Sequence, residues 1–442
     1  MKIILLSGGS GKRLWPLSNG SRTKQFLKVL RGVDGEKESM VQRVWRQLQE
    51  AGLASSTYIA TCSSQVDLIK NQIGDHVPLI VEPERRDTFP AIALVSAYLN
   101  SIACADKDEI VCVLPVDPYV DTVFFDKVKE LERVLNDTGA EVALIGSKPT
   151  YPSGKYGYIV SDPAAQDGLS SSIVIDRFVE KPSEDEAERL IEAGALWNCG
   201  IFAFKLHYLL TLLKARSFPV TYQELSRQYA RLPKRSFDYE VLEKAQQLRA
   251  IVYESGWKDL GTWNTLTEEM DTKLIGRGLI SEDSVNTHVL NELDILITVL
   301  GLSNVIVAAG PNGILVADKA ASPRIKELMQ PIDERLMYEE LRWGWYRILD
   351  LFKLDGDRET LVKKVVVHTG EQYTRESKPG SRVIWTVQAG KGVAIIEGKP
   401  QTIAPGDCLE MDSGVASSAA ALTELTIVEV QIGNAGGVAY DL

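Results

Sequence analysis

Short apolar runs alternate with helical periodicity through the first half of the chain. Residues 3–6 form an unbroken apolar run closed by Gly8 and Gly9, the pattern of a strand buried on both faces. Residues 40–51 put Met40, Val41, Val44 and Leu48 on one helical face. Residues 58–61 and 79–81 read as short strands. A helix is predicted over 90–103, with Pro90 in its first turn and Thr88 close enough to cap it. Residues 109–114 read as another buried strand, 123–135 as a helix and 141–145 as a strand. This rhythm predicts an α/β core with a mostly parallel sheet and helices on both faces. Ligands of such sheets sit beyond the carboxyl ends of the strands, so the residues after each strand are where chemistry is expected.

From about residue 275 the helical period disappears. Apolar runs at Val289, 295–299, 305–307 and 314–316 come at close intervals, which suggests stacked short strands in one or two β-helix turns. A helical stretch follows near 325–328. From residue 361 the pattern is all-β, with turns at Glu397-Gly398 and Pro405-Gly406, and a small barrel or sandwich is expected.

Composition narrows the partners. The 442 residues carry 49 Lys plus Arg against 60 Asp plus Glu, a net charge of −11 that argues against nucleic acid but leaves small anions open. The five cysteines are odd in number and none are spaced C-x-x-C, so reduced thiols in a cytoplasmic protein are expected rather than a disulfide or zinc framework. The apolar start is too short for a signal peptide, and no run is long enough to cross a membrane. The four histidines are scattered and read as structural, so any metal chemistry should run through carboxylates.

The first candidate for chemistry is Leu6-Ser7-Gly8-Gly9-Ser10-Gly11-Lys12-Arg13, where glycines follow a strand and cations follow the glycines. Glycine lets backbone N–H groups turn toward a phosphate, and Lys12 and Arg13 can neutralise it. The spacing fits neither a dinucleotide fingerprint nor a P-loop, because Leu14 stands where the third glycine belongs and Arg13 follows Lys12. Lys24 comes shortly after. Asp117 stands at the tip of a buried strand, as a magnesium carboxylate would, and Asp259, between aromatics and before Gly261, is a second oxygen ligand. Glu180 can accept from hydroxyls, Lys181 can hold a phosphate, and Gly157 and Asn198 stand among aromatics that suit a sugar.

Together these segments resemble the mannose-1-phosphate guanylyltransferase family of sugar 1-phosphate nucleotidyltransferases. The glycine-rich segment to Leu17, Lys24-Gln25-Phe26-Leu27, residues 82–93, 178–182, 197–200, 236–240 and 257–263 follow in the family's order. Asp87 and Pro118 depart from the Asn and His usual there, which leaves the exact nucleotide and sugar open. The resemblance implies a GT-A-like (Rossmann-like) core and a Mg²⁺-dependent transfer. It implies Leu6, Gly8, Gly9, Ser10, Gly11, Lys12, Arg13, Glu82, Arg86 and Thr88 at the nucleotide. Gly157, Glu180, Lys181 and Asn198 would face the sugar, Asp117 and Asp259 the metal, and Arg13, Lys24, Asp117 and Lys181 would be catalytic. It divides the chain into a catalytic domain 1–272, a β-helix-like segment 273–340 and a cupin-like β domain 341–442. That last domain resembles the isomerase domain of longer members, whose histidine-rich metal motif should fall at 376–385, where this chain has no histidine. The expected reaction makes GDP-mannose and pyrophosphate from GTP and mannose 1-phosphate without isomerase activity, and a homodimer stays open. The alternatives are the same chemistry on another sugar 1-phosphate, such as a heptose, or a non-catalytic sugar-nucleotide sensor.

Overall fold

The computed structural model describes residues 1–9, 11–161, 172–332, 335–354, 358–375 and 380–434. They form two compact units, residues 1–9 with 25–271 and residues 10–24 with 272–442.

The first unit is built on a nine-stranded sheet. Its strands are β1 (Lys2–Ser7), β2 (Thr57–Cys62), β3 (Leu79–Glu82), β4 (Ile110–Pro115), β5 (Val142–Ser147), β6 (Gly157–Ser161), β7 (Ile173–Glu180), β8 (Leu196–Lys205) and β9 (Leu248–Tyr253). Their order across the sheet is β3-β2-β1-β4-β8-β5-β9-β7-β6. Strands β1 to β4 pair in parallel, as their connections through helices require. The far half is mixed, a departure from the mostly parallel sheet read from sequence. β8 lies antiparallel between β4 and β5, and β7 is antiparallel to both β6 and β9.

Alternation along the strands explains the two cores. Ile3 and Leu5 of β1, and Ile110, Cys112 and Leu114 of β4, face one cluster with helices α1 (Met40–Glu50), α2 (Val66–Ile73) and α4 (Phe124–Thr138). Ile4, Val111 and Val113 face the other cluster with α3 (Thr88–Ser101). Each of these buried side chains is worth roughly 1.5–3 kcal/mol relative to exposure. Helix α1 starts where Ser39 and Gln42 form a reciprocal capping box. α3 starts two residues earlier than the sequence reading, because Asp87 rather than Thr88 is the cap, accepting from Thr88 N at 2.8 Å. Asp87 holds φ 75° and ψ −177°, a strained region that side chains other than glycine rarely enter.

In the second unit, Leu274–Ile275, His288–Asn291 and Val305–Gly310 pair in parallel, as do Gly278–Ile280 and Ile297–Val299. Successive coils stacked in this way form the short β-helix-like stretch. The remainder is two antiparallel sheets, of six and four strands, a double-sheet arrangement of the jelly-roll and cupin kind. Its interior is filled by Tyr373, Val383, Trp385, Ile403, Met411 and Ile427 among others. Glu429 is buried there, accepting from Tyr373 Oη at 3.0 Å and from Trp385 Nε1 at 2.8 Å. Of the expected motif position, residues 376–379 lie outside the described residues. No helix is long and apolar enough to cross a membrane among the described residues. The five cysteines carry no disulfide.

Candidate active site

The carboxyl ends of β4 and β7 open into a cleft of about 200 Å³ in the first unit. Asp117, Gly157, Glu180, Asn198 and Asp259 all line it. The two aspartates meet through a short antiparallel ladder in which Pro118 pairs with Asp259 and Tyr119 with Lys258. Asp117 is therefore one residue from Asp259's ladder partner, although 142 positions separate the two aspartates in the sequence. Two carboxylates on one cleft are a donor set for Mg²⁺, which takes one or two carboxylates and completes its shell with phosphate oxygens and water. Among the described residues there is no larger cluster of His, Cys, Asp and Glu that would suit another kind of metal site.

Asn198 owes its position to an irregularity in β8. Its pairing with β5 runs Trp197 to Ser147 and Asn198 to Gly146, then resumes only at Phe202 to Leu144, so the intervening residues bulge. The Asn198 amide is fixed from both ends. Its Oδ1 accepts from Gly200 N at 3.0 Å, and its Nδ2 donates to Asp238 Oδ1 at 3.1 Å. Gly157 has to be glycine, since a Cβ there would lie 2.6 Å from both Glu180 Oε2 and Phe178 Cζ.

Lys181 pairs with Glu180 and holds a left-handed φ of 48°. Strain of this sort in a bulky side chain concentrates at functional sites. Burial raises the Glu180 carboxyl above its ordinary range and neighbouring Asp238 adds to this, while Lys181 opposes the shift. Asp238 is likewise raised by burial, against Lys181 and Asn198. Burial would lower the Lys181 ammonium, but Glu180 and Asp238 outweigh it and the net shift is upward.

Glu82, Arg86 and Thr88 gather around residues 229–237 of the same unit. Tyr229 Oη donates to Glu82 at 2.6 Å, Arg86 donates to Leu232 O at 3.1 Å and pairs with Glu84, and Thr88 Oγ1 accepts from Phe237 N at 2.9 Å. Burial raises the Glu82 carboxyl, opposed by Tyr229. Asp238 follows directly, so one short segment connects this group to the cleft. Leu6 is half-buried near the end of β1, and Gly8 and Gly9 are exposed. Ser10 lies outside the described residues.

Residues 10–24 group with the second unit, which the sequence reading did not foresee. A Cβ at Gly11 would lie 1.7 Å from Asn19 O, so only glycine fits. Lys12 Nζ donates to Met329 O at 3.1 Å, and a phosphate would have to compete with that bond. Arg22 pairs with Glu292 at 2.8 Å. Arg13 is exposed. Lys24 opens the turn Lys24–Phe26, whose Gln25 and Phe26 are buried.

Asp238, Tyr156 and Trp257 also line the cleft. Asp238 lies in the segment 236–240, to which the sequence assigns no role, and its contact with Asn198 spans 40 positions. No local spacing could have signalled it.

Residues 2–274 match the family model for nucleotidyl transferases. A mannose-1-phosphate guanylyltransferase of Salmonella montevideo is 27% identical, over 93% of this chain and 91% of that protein. The alginate biosynthesis protein AlgA of Pseudomonas fluorescens is 30% identical, over 88% of this chain and 83% of its own length. Among solved structures, one described as a mannose-1-phosphate geranyltransferase from Thermus thermophilus is 28% identical with a TM-score of 0.62. That match covers 75% of this chain and 98% of the other.

Proposed function

The chain belongs to the nucleotidyl transferase family, and we propose that it joins GTP to mannose 1-phosphate, forming GDP-mannose and pyrophosphate. The observation that carries this reading is the ladder bringing Asp117 and Asp259 to one cleft with Glu180 and Asn198. The name of the Salmonella relative, at 27% identity, supports the choice of GTP and mannose.

The sugar-phosphate oxygen attacks the α-phosphorus of the nucleotide in line. The new O–P bond forms as the bond to the β-phosphate's bridging oxygen breaks, and pyrophosphate carries that electron pair away. The nucleophile is already anionic at neutral pH, so no base has to take a proton from it. The barrier lies in bringing two anions together and stabilising spread charge. Asp117 and Asp259 would hold Mg²⁺, which would supply Lewis-acid charge stabilisation. The sequence resemblance assigns Gly8, Gly9, Ser10, Gly11 and Lys12 to the triphosphate and Arg13 to the departing pyrophosphate. The same resemblance assigns Lys24 to the α-phosphoryl group and Lys181 to the sugar phosphate. Leu6, Glu82, Arg86 and Thr88 orient the nucleoside. Gly157, Glu180 and Asn198 receive the sugar, whose hydroxyls can donate to Glu180.

A panel of nucleoside triphosphates and sugar 1-phosphates, read by pyrophosphate release, tests the substrate pair. GTP with mannose 1-phosphate should give the highest kcat/KM. A higher value for a heptose phosphate would move the assignment to that sugar, and tight GDP-sugar binding without pyrophosphate would make the protein a sensor.

For the C-terminal β domain we propose a structural role. Residues 376–385 hold no histidine to ligate a metal, and aromatic and aliphatic side chains fill the interior. Purified protein given mannose 6-phosphate should form no fructose 6-phosphate, with or without added zinc. Turnover above the uncatalysed rate would reject the proposal.

A further inference from the structure

Apart from the catalytic cleft, the second unit contains a cavity of about 340 Å³ walled by cations and aromatic rings. Arg22, Arg347 and Lys364 enter it beside Tyr338 and Trp345. Two of the cations are already neutralised. Glu292 accepts from Arg22 at 2.8 and 2.9 Å, and Asp294 accepts from Arg347 at 2.8 Å. Lys364 has no carboxylate at ion-pair distance among the described residues, and its ammonium lies 5.8 Å from the centre of the Trp345 ring. Tyr338 and Trp345 stand 5.9 Å apart, centre to centre.

The cavity thus offers one ammonium outside any close ion pair, attracted at longer range by Asp294, together with an aromatic wall and exposed carboxylate oxygens. An ammonium holds a phosphate as a point charge. An aromatic face suits the C–H side of a sugar ring, and a carboxylate accepts from hydroxyls. The volume is in the range of small-molecule sites. We propose that this cavity binds a phosphorylated monosaccharide, with its phosphate on Lys364, its ring against Trp345 and a hydroxyl on Asp294. The site also has a route to activity. Arg22 belongs to the segment that carries Arg13, and Asn19 of that segment donates to Tyr338 O at 3.4 Å. An occupant would rest on the residues that hold the segment and so shift the KM for the nucleotide. Only this activity readout depends on the transferase reading, since binding is measured directly.

The probe is glucose 6-phosphate, whose anomeric carbon bears no phosphate, so it cannot serve as the sugar 1-phosphate in the transfer. Calorimetry on the full chain should show saturable binding. Lys364→Gln and Trp345→Ala should each weaken it roughly ten- to a hundredfold, the size expected for a charge-assisted contact. Asp117→Ala should leave it unchanged. No saturable binding, binding that survives Lys364→Gln, or binding lost in Asp117→Ala would each overturn the proposal. Inorganic phosphate binding as tightly as the ester would overturn the sugar assignment. If Trp345→Ala lowers the melting temperature, Lys364→Gln, which breaks no ion pair, decides the matter alone.

Discussion

Asp117→Ala lowers kcat by about 10²–10³, the usual cost of losing one charge-stabilising contact in a preorganised site, while the melting temperature stays close to that of the parent. The two readouts separate because Asp117 is half-buried at a strand tip rather than in either core. Asp259→Ala should behave alike, because Asp259 sits across the ladder from Pro118. The pair also makes a sharper test than either variant alone. Two carboxylates sharing one ion act as a unit, and groups that act as a unit are strongly non-additive. Asp117→Ala/Asp259→Ala should therefore be little slower than the worse single variant, not slower by the product. Both effects should appear in kcat more than in the KM for the sugar phosphate, since the ion's charge matters most as charge spreads in the transition state. Pyrophosphate release at saturating magnesium measures them. Near-parental turnover in Asp117→Ala, or fully multiplicative losses, would remove the two aspartates from a shared site.

Why these two aspartates could be named from sequence, while Asp238 could not, follows from the range of the signals. Asp117 ends an apolar run, and such a run marks a buried strand whose carboxyl end faces ligand space. Gly157, Glu180 and Asn198 sat in short segments whose residue types suited a sugar. Asp238 carries no such mark. It reaches the cleft only because residues 236–240 fold back beside β8, and its bond to Asn198 is a tertiary event. The antiparallel insertion of β8 was hidden for a similar reason. A strand buried on both faces reads as an apolar run whichever way it points. Residues 10–24 show the limit most plainly. Their glycines and cations read as a phosphate loop, and nothing local revealed that Arg22 would pair with Glu292 or that Lys12 would donate to Met329. The shift of the α3 cap from Thr88 to Asp87 is smaller. Both residue types can cap, and it is the Asp87 carboxylate that accepts from Thr88 N.

Lys181→Ala should lower kcat/KM for the sugar phosphate by about 10²-fold, carried mainly by KM, because the lysine is proposed to hold that phosphate in ground state and transition state alike. Lys181→Arg should restore part of the loss, since charge rather than shape is the main requirement. A second readout comes from titration. Burial raises Glu180 and Asp238 above the ordinary carboxylate range, and Lys181 is the cation that opposes both shifts. Without it the two carboxyls hold their protons to higher pH, so the acid limb of the kcat/KM profile should move to higher pH in Lys181→Ala and stay in place in Lys181→Arg. Stability follows the same signs. A carboxyl raised in the folded state binds more protons there than in the unfolded chain, so its contribution is full at low pH and is lost as pH rises through the folded value. The variant should therefore lose stability between acidic and neutral pH more steeply than the parent. The lysine's own contribution runs to the other end of the scale. Its folded value lies above the ordinary 10.5, so the stability it adds is complete at neutral pH and lost only as pH rises through that raised value. At pH 7 the parent thus keeps the whole of the ion pair, and the variant has two raised carboxyls with no cation beside them. A Lys181→Ala enzyme with unchanged KM for the sugar phosphate and an unmoved acid limb would mean that Lys181 serves Glu180 alone and never meets substrate.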